Sequence, residues 1–193
     1  MYVAFEGIDC VGKSTQISLL KSVFKEAIFT MEPGGTKLGE HLRKLLLDRE
    51  INFEKRSELL LFLADRSEHY EKILKANKNK LIISDRSFVS GMAYAKDFKN
   101  EELFWLNNFA LNGFFPQKIV FLKADKMLIE QRLSLKKLDF IEKNGANYFL
   151  DIQERLESVL EFLKERISLE ILSLNANESK ENLHKIIKEF IDD

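Results

Sequence analysis

The residues best suited to carry out chemistry lie near the start of the chain. Gly7 to Ser14 follow the pattern G-x-x-x-x-G-K-[ST], in which a glycine loop curls its backbone N–H groups around phosphates. Lys13 is placed to reach the outer phosphates of a nucleotide, and the Ser14 hydroxyl to hold Mg²⁺. An apolar run precedes the loop and apolar residues at helical spacing follow it, which favours a strand–loop–helix unit over an ordinary glycine turn. The sequence therefore predicts a nucleotide phosphate site.

A second pair of polar residues, Asp85 and Arg86, follows an apolar strand further along the chain. In a P-loop enzyme, an aspartate at such a point supports Mg²⁺, although a strand-terminal aspartate is also a common helix cap. The phosphate-binding loop favours the metal-associated role for Asp85. Arginine suits bidentate recognition of phosphate, so Arg86 is either a phosphate ligand or a surface residue.

Arg66 stands four residues after Phe62, on the same face of a predicted helix. An aromatic ring and an arginine so placed can stack on a flat base and hydrogen-bond to its edge. The alternative is that Phe62 belongs to the core and Arg66 is its solvated neighbour. The spacing alone favours neither interpretation.

Basic residues cluster near a glycine in the second half of the chain. Lys136 and Lys137 follow Arg132 by about one helical turn and precede Gly145. Most lysine clusters form a solvated face, but this one can also be a lid that brings cations to bound phosphates. The three histidines are scattered and indicate neither a metal site nor a catalytic triad.

Apolar strands alternate with helical patterns along the chain, which predicts a parallel α/β sheet covered on both faces. The predicted strands are an N-terminal one beginning at Tyr2, then 27–30, 80–86, 118–122 and 169–174. The predicted helices lie after the loop and at 38–47, 57–75, 88–94, 101–112, up to 132, 148–166 and 179–191, with 134–147 as a loop or mobile helix tip. Because such sheets bind ligands at the carboxyl ends of their strands, we expect Gly7, Glu32, Asp85, Arg86 and Asp125 to converge on one crevice.

Composition limits the possible classes of protein. A chain of 193 residues with 45% hydrophobic residues suits a single domain with a sizeable core. A net charge of −1 gives no bulk attraction to nucleic acid or to anionic membranes, so we expect neither as a partner. One cysteine excludes an internal disulfide, and no apolar run approaches the length of a membrane helix. We expect a cytoplasmic enzyme.

The order of these pieces resembles the thymidylate kinase family of P-loop nucleoside-monophosphate kinases. The matching stretches are Phe5 to Asp9, Gly12 to Gln16, Glu32 to Thr36 with Gly39, Leu45 to Asp48, Leu61 to Arg66, Ser84 to Arg86 and Ser90 to Tyr94, with weaker similarity through Pro116 and 118–122 to 139–142. The resemblance implies a P-loop NTPase fold with five parallel strands and helices on both faces. It implies one kinase domain over 1–193, a mobile lid at about 134–147, a homodimer and a cis Glu32–Pro33 bond.

The same resemblance implies that Mg²⁺ supports transfer of a phosphoryl group from ATP to dTMP, giving ADP and dTDP. The implied ATP-binding residues are Gly7, Ile8, Asp9, Cys10, Val11, Gly12, Lys13, Ser14 and Thr15. The implied dTMP-binding residues are Asp9, Glu32, Phe62, Arg66, Arg86, Ser90 and Tyr94. Ser14 and Asp85 would hold the metal, and the catalytic set would be Lys13, Asp85, Arg86, Lys136 and Lys137.

The chain departs from the family pattern in its cations. Members often carry an arginine before the Glu-Pro-Gly-Gly turn, where this chain has Met31, and another in the P-loop or the lid, where it has Cys10 and Asp139-Phe140. Lys136 and Lys137, then Arg132, are the candidate replacements. Cys10 itself is either a reactive thiol or, as we favour, a small residue that fits the loop.

Three rival functions remain open. A GTPase-type switch would need Asn-Lys-x-Asp after a strand, and Leu122 to Asp125 lacks the asparagine. A kinase for a nucleoside or another nucleotide would share the loop, but arginines aimed at an acceptor phosphate argue against a nucleoside. A nucleotide-binding protein without catalysis is opposed by the intact set of Lys13, Ser14 and Asp85.

Overall fold

The chain forms one five-stranded, fully parallel sheet with helices between successive strands. The computed structural model describes residues 1–47, 51–135 and 144–193. The strands are β1 (Tyr2–Glu6), β2 (Ile28–Met31), β3 (Ile82–Asp85), β4 (Lys118–Lys123) and β5 (Glu170–Asn175). The α-helices are α1 (Lys13–Val23), α2 (Lys37–Leu47), α3 (Lys55–His69), α4 (Phe88–Tyr94), α5 (Asn100–Leu111), α6 (Lys126–Ser134), α7 (Gly145–Lys164) and α8 (Lys180–Asp192). The strand order is β2-β3-β1-β4-β5, and each pairing is parallel.

The central strand β1 explains why both faces of the sheet are covered. Its five residues are all buried, although successive side chains of a strand point to opposite faces. Helices must therefore pack on both sides, as its apolar sequence predicts. The carboxyl end of β1 lies between those of β3 and β4. The loop that follows β1 therefore lies at the middle of the sheet, at the carboxyl ends of its strands.

The predicted strands and helices are all present, with shifts at some ends. The helix predicted over 57–75 is regular only to His69 and continues as a π turn (Tyr70–Leu74) and a 3₁₀ turn (Lys75–Asn77). Tyr70 and Leu74, at the two ends of the π turn, are both buried. α7 begins at Gly145, earlier than predicted, and the central part of the predicted lid, with Lys136 and Lys137, lies outside the described residues.

The prediction that Asp125 joins the crevice is wrong. Asp125 follows β4 but does not line the large cavity at that sheet edge. Its carboxylate accepts hydrogen bonds from the Leu128 backbone at 2.8 Å, which caps α6, and from Asn177 at 2.7 Å. Within the described ranges, no helix has both the length and the apolar character needed to cross a membrane.

Candidate active site

The loop between β1 and α1 requires glycine at its first position. Gly7 has φ +140°, and a Cβ there would collide with the backbone carbonyl of Leu122 on β4. The side chains of Ile8 and Val11 are buried in the core, so they can serve a ligand only through their backbone groups. Cys10 adopts φ +69°, a left-handed conformation unusual for a residue with a Cβ. The shape of the loop is therefore set by the conformations of its backbone.

Lys13 lies inside this loop. Its ammonium donates to the carbonyls of Gly7 at 2.9 Å and Ile8 at 2.8 Å. Burial, and then the nearby charge of Arg86, lowers the pKa of Lys13 to about 8. The lysine is therefore a poorly solvated cation at the base of the loop, an arrangement that an incoming phosphate would stabilise.

Ser14 and Asp85 meet where α1 begins and β3 ends. The Ser14 hydroxyl donates to Asp85 Oδ2 at 3.2 Å. Asp85 does not cap the next helix: Ser87 is the N-cap of α4 and accepts from the Val89 backbone at 3.3 Å. Two oxygen donors beside a phosphate loop fit Mg²⁺, which binds one or two protein oxygens together with water and substrate phosphates. Within the described ranges, no group of three or more His, Cys, Asp or Glu residues is arranged to hold a metal ion.

Arg86 joins the phosphate loop to α4. Like Cys10, Arg86 has a left-handed backbone conformation, with φ +70°. Its Nη1 donates to the Gly7 carbonyl at 2.9 Å and to Ser90 Oγ at 3.0 Å, and its Nη2 donates to Asp9. Its guanidinium carbon lies 5.7 Å from the centre of the Tyr94 ring. One arginine therefore contacts both the loop and the helix that carries Ser90 and Tyr94.

Glu6 supports this arrangement, and the sequence reasoning missed it. Its fully buried carboxylate accepts hydrogen bonds from the Ser87 hydroxyl at 2.7 Å and from the Ser90 hydroxyl. Burial raises the pKa of Glu6, while the two serine hydrogen bonds oppose that rise. The sequence did indicate a buried polar contact here, because Glu6 is a charged residue at the end of an otherwise apolar strand.

A buried ion network lies behind the turn after β2, whose Glu32–Pro33 bond is cis as the resemblance implied. Glu32 accepts from Arg66 Nε at 2.8 Å and lies 2.9 Å from His69 Nδ1. Burial alone would raise the pKa of Glu32, but Arg66 and His69 hold it below its ordinary value. His69, dismissed from spacing alone, is part of the site's support, because its other ring nitrogen lies 2.7 Å from Thr30 Oγ1.

These groups surround one cavity of about 970 Å³. Its lining includes Asp9, Cys10, Gly12, Lys13, Ser14, Thr15, Glu32, Phe62, Arg66, Asp85, Arg86, Ser90 and Tyr94, so the structure brings together most of the predicted site residues. Phe62 and Arg66 both face this cavity, which argues against the purely structural interpretation of the pair.

A smaller cavity of about 310 Å³ lies on the other side of the loop, lined by Cys10, Gly12, Arg132 and Ala176 among others. Arg132 donates to the carbonyls of Cys10 at 2.6 Å and Ala176 at 3.0 Å. It thereby bridges the two walls of this cavity. Because its guanidinium is held there, Arg132 is a weaker candidate for the missing phosphate cation than the sequence suggested.

Comparisons with known proteins identify the family. The family described as thymidylate kinase matches residues 5–187. A thymidylate kinase of Campylobacter jejuni (strain RM1221) is 69% identical over 191 residues, covering 99% of this chain and 100% of that protein. One from Helicobacter pylori (strain P12) is 49% identical over 193 residues, covering 99% and 98%. The crystal structure of thymidylate kinase from Ehrlichia chaffeensis shares the fold, with a TM-score of 0.76, 24% identity and coverage of 100% and 98%. This chain therefore belongs to the thymidylate kinase family.

Proposed function

We propose that this chain transfers the γ-phosphoryl group of ATP to dTMP, giving ADP and dTDP, across the larger cavity. Residues 7–15 hold the phosphates of ATP, and dTMP lies among Asp9, Glu32, Phe62, Arg66, Arg86, Ser90 and Tyr94. The observation that carries the proposal is the placement of Arg86. A single guanidinium that bonds to both Gly7 and Ser90 supports a site in which the two substrates meet at Arg86.

The roles on the acceptor side are those that the family resemblance implies, and the chemistry of each side chain is compatible with its role. Phe62 stacks on the thymine ring and Arg66 hydrogen-bonds to its edge. Arg86 holds the phosphate of dTMP, Asp9 contacts the 3′-hydroxyl of the sugar, and Ser90 and Tyr94 complete the pocket. The buried ion pair of Arg66 with Glu32 supports this assignment, since it fixes the arginine beside the cavity.

The reaction needs positioned charge more than a general base. The acceptor is itself a phosphate and is largely dianionic near neutral pH, since its second pKa is about 6. The barrier therefore lies in bringing two anions into line, which cations and positioning relieve. Lys13 would exchange the carbonyls of Gly7 and Ile8 for the phosphates of ATP, and Arg86 would hold the acceptor phosphate.

Ser14 and Asp85 would hold Mg²⁺ when ATP is bound. When present, Mg²⁺ neutralises charge on the phosphate oxygens during transfer. Lys136 and Lys137 remain our candidates for the cation that relatives place in the P-loop or the lid at about 134–147.

The adenine base would occupy the smaller cavity. Cys10, Gly12 and Thr15 line both cavities, so phosphates held by the loop would lie between the two cavities.

We also propose that the protein is a homodimer. Large apolar side chains are exposed on three helices: Leu38 on α2 (49%), Leu60 on α3 (60%), and Trp105 (68%) and Phe109 (86%) on α5. Exposed apolar groups of this size favour a protein interface. Phe109→Glu should give a monomer by sedimentation velocity. Met127→Glu on α6, at a residue 75% exposed, is the matched control and should leave the dimer intact. A dimeric Phe109→Glu variant would contradict this interface.

We propose a cytoplasmic location, because both substrates are water-soluble nucleotides.

An ADP-release assay with a panel of nucleoside monophosphates tests the function. With ATP and Mg²⁺, dTMP should stimulate ADP release far more than dCMP, dGMP, dAMP or a nucleoside such as thymidine. Discrimination against dUMP should be weaker, since one buried methyl group is worth only about 0.8 kcal/mol. ADP release that does not depend on a monophosphate, or guanine-specific binding without turnover of dTMP, would reject the proposal.

A further inference from the structure

The guanidinium of Arg66 is held by two different partners at two different nitrogens. Nε donates to Glu32 Oε2 at 2.8 Å, and Nη1 donates to Asn107 Oδ1 at 2.6 Å. One bond leaves the planar group free to swivel about its side chain, whereas two bonds in different directions fix its plane. Glu32 bonds the guanidinium only at Nε, and its second oxygen lies 2.9 Å from His69 Nδ1. Asn107 therefore provides the second constraint.

Asn107 is itself fixed in orientation. It lies on α5 and is 1% exposed. Its Nδ2 donates to the Leu103 carbonyl one turn earlier in the same helix, at 2.7 Å. Because the amide nitrogen is committed to a carbonyl, the amide oxygen must face Arg66. The acceptor is thus set by the helix backbone and not by a mobile side chain.

The third side of the guanidinium faces α4 and the cavity. A Cβ at Gly91 would lie 2.7 Å from Arg66 Nη2 and 3.1 Å from Nη1, so this position in α4 leaves room for the arginine. Arg66 and Gly91 both line the larger cavity. Among the residues that the structure describes, none accepts a hydrogen bond from Nη2. Two nitrogens are therefore tied to protein acceptors, and the third is available to a ligand.

We propose that Asn107 is a positioning residue for base recognition. By fixing the plane of Arg66, it aims Nη2 at the 4-position of the pyrimidine. An N–H donor there accepts thymine, whose 4-oxo group is a hydrogen-bond acceptor, and rejects cytosine, whose 4-amino group is a donor. This inference rests on the proposed function, in which Arg66 reads the edge of the base.

The experiment compares Asn107→Ala with Asn108→Ala, its neighbour on the same helix, which makes no hydrogen bond to Arg66. The measured quantity is the ratio of Ki for dCMP, as a competitor of dTMP, to KM for dTMP. Loss of a buried hydrogen bond partner should lower this ratio about tenfold in Asn107→Ala and leave it within about twofold in Asn108→Ala. Asn107→Asp keeps an acceptor opposite Nη1 and should retain more of the ratio than Asn107→Ala.

The double variant Arg66→Ala/Asn107→Ala separates positioning from a general loss of structure. If Asn107 acts through Arg66, removing it should not change the ratio further once Arg66 is gone. A further fall in that background, or equal ratios in Asn107→Ala and Asn108→Ala at matched Tm, would overturn the proposal. If Arg66→Ala alone leaves the ratio unchanged, the assigned base site fails as well. If Arg66→Ala lowers it and Asn107→Ala does not, only the positioning role fails.

Discussion

The two halves of the large cavity are built in different ways. The half that we propose holds the phosphoryl donor, here called the donor half, is one continuous loop, residues 7–15, whose shape comes from backbone conformations such as the left-handed Gly7 and Gly12. The half that we propose holds the acceptor, here called the acceptor half, collects single side chains from the end of β2, from α3 and from α4. These are held by buried polar bonds from residues that the substrate would not touch, such as His69 and Asn107. The loop is a local structure, whereas the acceptor pocket depends on the whole fold.

This difference predicts where a substitution acts. Except at Asp9, which pairs with Arg86, a side chain in the loop can be changed without leaving a buried charge unpaired elsewhere in the protein. In the acceptor half, each charged group has a buried partner that would be left behind, and such an orphaned charge is costly. Arg86 is the exception that joins the halves, because it contacts Gly7 and Asp9 on one side and Ser90 on the other.

The largest effect is expected at Arg86. Arg86→Ala should lower kcat/KM for dTMP by about 10²–10³, the cost of losing one preorganised charge contact in a transition state. KM for ATP should change by less than about threefold, because Lys13 and the loop backbone remain. Steady-state kinetics with each substrate varied in turn measure both values. Unchanged kcat/KM for dTMP would show that Arg86 belongs to the loop alone.

The next largest effect is expected on the free energy of unfolding, which should fall after a substitution in the acceptor half but not after one in the donor half. Glu32→Gln leaves Arg66 and His69 facing a neutral amide in a buried site, and should lower the free energy of unfolding by about 3 kcal/mol. Lys13→Met removes a cation whose pKa is already lowered by burial, and should cost no stability. Urea denaturation of the ligand-free variants measures both changes. Comparable losses in the two variants would mean that the loop is as dependent on buried charge as the acceptor pocket.

The amount that could be predicted from sequence follows the same division. The loop was predictable because its residues are contiguous and its pattern has a direct physical meaning, and the alternation of strands and helices predicted the sheet. The spacing of Phe62 and Arg66 could not decide their role, since a pair on one helix face does not reveal what lies opposite. Only the family resemblance supplied that assignment.

The supporting residues were missed although each left a weak signal. Asn107 is a polar residue on the buried face of α5, between Leu103 and Leu111 at four-residue spacing. Glu6 is a carboxylate at the end of a buried strand. A polar residue at an apolar position indicates a buried partner, but the partner comes from a distant segment that a one-dimensional pattern cannot identify. The predicted crevice wrongly included Asp125, which caps α6 through the nearby Leu128 backbone and also bonds to Asn177, a partner from a distant segment.

The affinity for ATP should depend on pH through Lys13, a residue of the donor half. The pKa of Lys13 is about 8 in the ligand-free chain, and bound phosphates favour its protonated form. Above pH 8, binding must therefore take up a proton, so affinity falls as pH rises; below pH 8 the lysine is already charged and the dependence ends. Kd for ATP should rise roughly tenfold between pH 7.5 and pH 9. Lys13→Arg, which stays charged, should flatten the curve when Kd is measured by calorimetry, and a profile equally steep in that variant would exclude Lys13 as its origin.

The smallest effect is expected from a modification at the tip of the loop. Cys10 is the chain's single cysteine and lines both cavities, so a thiol reagent labels one defined point of the donor half. A small methylthio adduct should raise KM for ATP several-fold by occupying space beside the phosphates, and bound ATP should slow the labelling. Cys10→Ala should retain activity and become insensitive to the reagent, because the loop is shaped by its backbone and not by this side chain. Full activity after stoichiometric labelling, confirmed by mass spectrometry, would mean that the tip of the loop does not contact ATP, and the phosphates would then have to be placed closer to Lys13 and α1.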